Sequence, residues 1–304
     1  MRRILFIGVV ILVFAITVVG VAVPEEYVEE VGVGDATGLF ILNVPDASQP
    51  PSNTLHFHSV DNWCAPLAVA NSIVFLDLVM EFDWAHGVTG GGIEVWDLSE
   101  YLGYFMATNG EGSPDRENAR YHSSGTLRKD IPPGVMEYAR WDRDNLYETP
   151  PPEFIEKRGL DWHSELVEGN AWEEPLDFLL GSIEEQIPPV ACFTYWNPVI
   201  IEKEEVEIGS EKVLLSFAEW GEHLSSTQVL HKENPKVPIE EWNEKEGIGH
   251  AVTVVGFIKG DPDGARGPLP NTLWVIVHDN WVSTPENIVI PWDHLAGVVV
   301  FAPR

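Results

Sequence analysis

Residues 249–257 read GHAVTVVGF, and residues 275–281 read VIVHDNW. Each is a valine-rich apolar run of strand length, bounded by residues that favour turns, which is how a buried strand reads. His250–Ile258 and Leu273–His278 are therefore predicted as two strands, with the turn-rich KGDPDGARGPLPN between them. If the two are antiparallel neighbours, His250 at the start of the first lies beside Asp279 at the end of the second. A carboxylate there would hold an imidazole ring and stabilise its charged form. His278 and Asn280 flank Asp279, and alternation along a strand turns His278 to the opposite face.

A histidine and an acid far along a chain raise the question of a nucleophile. The chain has two cysteines, Cys64 and Cys192. Cys64 lies in DNWCAPLAVANS at 61–72, followed by Leu67, Ala70, Val74 and Leu78 at helical steps. The spacing predicts a buried helix over Ala65–Val79, with Pro66 in its first turn and Asp61 or Asn62 as cap. Cys64 then sits at the helix N-terminus, where a thiol pKa is lowered, and a neighbouring imidazolium lowers it further. Read alone, Cys64 is a small buried hydrophobe; with His250 and Asp279 it reads as a nucleophile. Cys192 sits within VACFTY at 190–195, a predicted strand, and reads as core packing. Two cysteines also permit one bridge, Cys64–Cys192, which spacing cannot establish.

Further helices are predicted over Leu98–Met106, Val135–Arg140 and Leu176–Gln186, and a last strand over Val298–Phe301. The charged stretch at 202–247 starts EKEEVEIG, and its alternation at 204–217 predicts a hairpin turning at Gly209-Ser210. Helices come first and strands last, so the class is α+β, with N-terminal helices packed on an antiparallel sheet.

Met1-Arg2-Arg3 followed by the uncharged run Ile4–Val23 is the pattern of a secretory signal, with small residues up to Ala22. About 20 apolar residues also suffice to span a bilayer, so residues 1–23 are either a signal peptide or an N-terminal anchor. Either way the rest is predicted to be exported: secreted or extracytoplasmic, touching membrane only through residues 4–23 if these remain. Residues 24–53, acidic and then Pro/Ser-rich, read as a tether or short propeptide, with Gly38–Leu42 as a candidate edge strand. The main domain is expected to span 54–304, with inserts at 202–247 and 259–272. A net charge of −30 argues against nucleic acid and against anionic membrane surfaces. His56 and His58 share a face if extended, but no HExxH or paired-cysteine spacing supports a metal, and DPDG at 261–264 lacks the later Glu of a calcium loop.

The order Cys64, His250, Asp279, with GHAVTVVGF followed by VIVHDNW, resembles the papain-like cysteine peptidases. The Asp in HDNW is similar to their bacteriocin-processing, double-glycine-leader branch. The resemblance implies a papain-like fold over about 54–304 and a Cys64–His250–Asp279 triad, flanked by Asn280 and by Trp281 on the family's indole position. The family's oxyanion glutamine, six residues before the nucleophile, is replaced by His58; Asn62 and the Cys64 backbone N–H are the other candidate donors. The implied activity is an exported cysteine hydrolase, most simply a peptidase acting on a peptide or protein through an acyl-enzyme, with no metal or organic cofactor. The alternatives are an inactive binding or surface-interaction module on the same scaffold, and a transglutaminase-like acyl transferase.

Overall fold

A computed structural model describes residues 27–48, 63–80, 95–121, 125–140, 162–167, 173–222, 249–260, 273–281, 284–292 and 294–303. The N-terminal apolar run, His56, His58, Asn62 and the turn-rich 261–272 lie outside them. Among the described residues no helix is long and apolar enough to cross a membrane.

The chain is mixed α+β, with helices on a ten-stranded, largely antiparallel sheet. The strands are β1 (Val28–Val33), β2 (Ala36–Ile41), β3 (Trp162–Val167), β4 (Val190–Phe193), β5 (Pro198–Ile208), β6 (Glu211–Trp220), β7 (His250–Lys259), β8 (Leu273–His278), β9 (Asn287–Pro291) and β10 (Leu295–Pro303). They run in the order β3-β10-β4-β7-β8-β9-β6-β5, with β2 also on β7 and β1 on β2. β7 is the centre. Its residues are buried from His250 to Ile258, as a near-continuous apolar run requires when both faces are covered. Its first half pairs with β4, its second with β2, and β8 runs antiparallel along the other edge.

Helix α1 (Cys64–Met80) packs on β7 and β4, and is apolar almost all round, which is the signature of a buried helix. Trp63 precedes it, fully buried, with its indole N–H on Ser99 Oγ at 3.2 Å and its ring where a Cβ on Gly103 would fall. That ties α1 to α2 (Val95–Phe105). α3 (Glu117–Tyr121), α4 (Ile131–Arg140, with Pro132 and Pro133 in its first turn) and α5 (Glu173–Glu184) complete the helices described. Gln186, at φ 62, closes α5 with its N–H on Ile183 O before Pro188-Pro189 leads into β4.

Three expectations change. Residues 24–53 are not wholly a tether, because 28–41 form the β1–β2 hairpin and β2 pairs with β7. Gly38 permits this: a Cβ there would run into the Phe257 carbonyl across the pairing. The hairpin expected at 204–217 is longer, from Pro198 to Trp220, and is part of the main sheet, since β6 pairs with β9. That pairing is parallel, so the sheet is not purely antiparallel. β3 and β9, short and without clean alternation, escaped the pattern altogether.

Gly38→Ala is expected to destabilise the fold by about 1–3 kcal/mol through overpacking. Gly32→Ala, where a Cβ meets nothing within 4 Å, serves as the near-neutral control. Urea unfolding of both variants measures the difference, and equal midpoints would mean that β2 is not held on β7.

Candidate active site

The CAP sequence at 64–66 accounts for the opening turn of α1. Leu67 N–H makes the first intrahelical bond, to Trp63 O at 3.3 Å, so Cys64 is the first helical residue. The N–H groups of Cys64 and Ala65 have no partner within the helix and act to lower the Cys64 thiol pKa, and Pro66 has no N–H to place. The backbone N–H of Ala251, the second residue of β7, also acts to lower the thiol pKa. Three amides favour a thiolate. Burial opposes them more strongly and pushes the thiol above its ordinary value, against the lowered pKa that the helix N-terminus alone suggested.

His250 opens β7 and is 5% exposed. Its Nε2 lies 2.7 Å from the backbone carbonyl oxygen of Asp279. A carbonyl can only accept, so Nε2 carries the proton and Nδ1 holds a bare lone pair in the neutral ring. The indoles of Trp196 and Trp281 lie against the imidazole at 4.9 and 5.0 Å between ring centroids. Burial lowers the His250 pKa to about 4, and the bond to Asp279 O only partly opposes this. Cys64 and His250 are thus both uncharged near neutral pH. The ring's hydrogen bond runs to Asp279, while the backbone N–H of the next residue, Ala251, acts to lower the thiol pKa.

The contact between Asp279 and His250 runs through the Asp279 main chain. Its carboxylate shapes the turn: Oδ1 accepts from Trp281 N–H at 3.1 Å and from the Thr284 hydroxyl at 2.5 Å. This is an Asx turn, and it leaves Asn280 at φ 64, a left-handed conformation that asparagine tolerates. Trp281 is 7% exposed and seated over His250. His278 faces elsewhere, as alternation predicted, with Nδ1 against Pro45 O and Nε2 against Asn287 Oδ1, each at 3.1 Å.

Cys192 is buried in β4, directly opposite Ala251, and Cys64 and Cys192 are not joined by a disulfide. The proposed oxyanion donors His58 and Asn62 lie outside the described residues. Among the described residues no three His, Cys, Asp or Glu side chains converge as a metal site would need. Trp196, Thr284 and Asn71 were missed. Asn71 alone left a legible signal, a polar residue inside an otherwise apolar helical run.

Compared with known proteins, the chain matches no family model, no curated protein and no solved structure.

The depressed histidine has a consequence for stability. Its folded pKa of about 4 lies below the ordinary 6.5, so between those values the unfolded chain takes up a proton that the folded one refuses. Stability is therefore full above pH 6.5 and falls by roughly 3 kcal/mol on descent to pH 4, at about 1.4 kcal/mol per unit. Urea unfolding at pH 7 and pH 4 should show that His250→Gln lacks this share of the loss. Equal losses in the two proteins would mean that the ring is not held neutral.

Proposed function

We propose that the protein is an exported cysteine hydrolase of papain-like architecture, acting on peptide bonds through Cys64 and His250, with Asp279 as the orienting residue. One observation carries the reading. Cys64 opens α1, the helix packed on β7, and His250 opens β7, where Asp279 O locks its ring in the tautomer that frees Nδ1. Cysteine and imidazole are thereby set at neighbouring places with the base nitrogen unoccupied.

The chemistry follows from the neutral pair. Cys64 Sγ bonds to the substrate carbonyl carbon as its proton passes to His250 Nδ1. The carbonyl electrons move onto oxygen, where backbone N–H groups at the helix start would receive them. On collapse the C–N bond breaks and His250 returns the proton to the departing amine. Water, deprotonated by His250, then cleaves the thioester and restores the thiol. Transfer to an added amine at this last step would make the protein an acyl transferase. The competing reading, a non-catalytic module, draws on the same burial that keeps thiol and imidazole uncharged.

A peptidyl vinyl sulfone mixture offered to the purified full chain, with adducts mapped by mass spectrometry, tests this. The expected result is one adduct at Cys64, lost in His250→Ala and retained in Cys192→Ser. No adduct, or one indifferent to His250, would leave the non-catalytic module. The pH profile of capture is a second check. A base that stays neutral down to about 4 puts the acid limb there, whereas an ordinary histidine would put it near 6.5.

A further inference from the structure

Asn71 lies seven residues, or about two turns, beyond Cys64 on α1, and is fully buried. Its amide orientation is set by its neighbours. Ala47 N–H, which can only donate, approaches Oδ1 at 3.4 Å, so Nδ2 faces the other way. There it donates to Asn280 Oδ1 at 2.8 Å, with Thr253 Oγ1 at 3.4 Å as a weaker second acceptor. Thr253 in turn donates to Ala68 O of α1 at 3.1 Å, binding the helix to the strand that His250 opens. The bond from Asn71 is the one hydrogen bond that the Asn280 side chain makes among the described residues, because its Nδ2 is buried without a partner. Asn280 is the left-handed residue immediately after Asp279, whose carbonyl holds the ring of His250.

We propose that Asn71 is a positioning residue for the Cys64–His250 site. By gripping the Asn280 amide it fixes the peptide of Asp279, and hence the direction of the imidazole, relative to the helix that carries the thiol. The inference rests on the hydrolase reading for its catalytic meaning, while its geometry stands apart from that reading. An apolar residue at 71 would fill the helix face equally well but would remove the direct tie between α1 and Asn280, leaving the turn to the Asx bonds of Asp279. The turn that orients the imidazole would then be linked to the helix that carries the thiol less directly, through the Thr253–Ala68 bond of β7.

The test uses the full chain with 15N-labelled histidine, with the His250 signals assigned by loss in His250→Ala. In the unaltered protein the Nε2 proton of His250, bonded to a carbonyl and buried, is expected as a slowly exchanging downfield resonance with a bare Nδ1. Asn71→Ala should abolish that resonance. So should Asn280→Gly, which keeps the left-handed backbone and removes only the gripped amide, leaving α1 intact. The double variant should do no further harm, as expected of two groups acting through one bond. Capture of the vinyl sulfone at Cys64 should slow by about 10–100-fold in each single variant, the scale of a small misplacement of reacting groups. Persistence of the slowly exchanging proton in folded Asn280→Gly would overturn the proposal, even if Asn71→Ala failed to fold. Failure of the hydrolase reading has a different signature: the resonance would respond as described while the unaltered protein captured no probe.

Discussion

The bond from His250 Nε2 to the main-chain oxygen of Asp279 is the constraint from which the rest of the site follows. A carbonyl neither titrates nor donates. The ring is therefore oriented, and its tautomer set for as long as it is neutral, whatever the state of the Asp279 carboxylate. A carboxylate in that place would stabilise an imidazolium strongly, whereas a carbonyl does so weakly. Burial against Trp196 and Trp281 then decides the protonation state, and decides it for the neutral ring. Freed from the ring, the carboxylate bends the chain so that Trp281 returns over it.

The thiol obeys the same balance. At the start of α1 the N–H groups of Cys64 and Ala65 act to lower its pKa, and a proline removes the next donor. The N–H of Ala251, from the sheet, acts in the same direction. Burial outweighs these amides, so the thiol stays protonated.

Much of this was legible in sequence. The GHAVTVVGF and VIVHDNW runs, Cys64 at a helix start, and the proximity of His250 to Asp279 all follow from period, turn residues and proline position, and each appears in the structure. Which atom of Asp279 would face His250 was not legible. An aspartate ending a strand can offer its carboxylate or close an Asx turn, and that choice depends on Thr284 and on the left-handed Asn280. The place of β1–β2 was obscured for a different reason. Its acidic and glycine-rich residues look like a linker, yet glycine at 38 is what lets β2 approach β7. The long β5–β6 hairpin looked like an insertion because Glu202, Glu204, Glu205 and Glu207 dominate it. On an edge strand such charges also discourage pairing with another chain, so they are compatible with membership of the sheet.

Net charge and local burial make opposite demands on His250, and their outcome shows the range over which each acts. A chain with 18 cationic and 48 acidic side chains surrounds the ring with negative potential, which by itself would favour the imidazolium. The ring is nevertheless driven the other way, to about 4. Exposed carboxylates are screened over about 8–10 Å of salt solution, while the desolvation of a group enclosed by indoles and strand β7 is not screened at all. For Cys64 the two influences agree, since both negative potential and burial resist a thiolate. The acidic surface therefore governs how the molecule meets its solvent and its partners, and the packing of two tryptophans governs the proton on which the proposed chemistry turns.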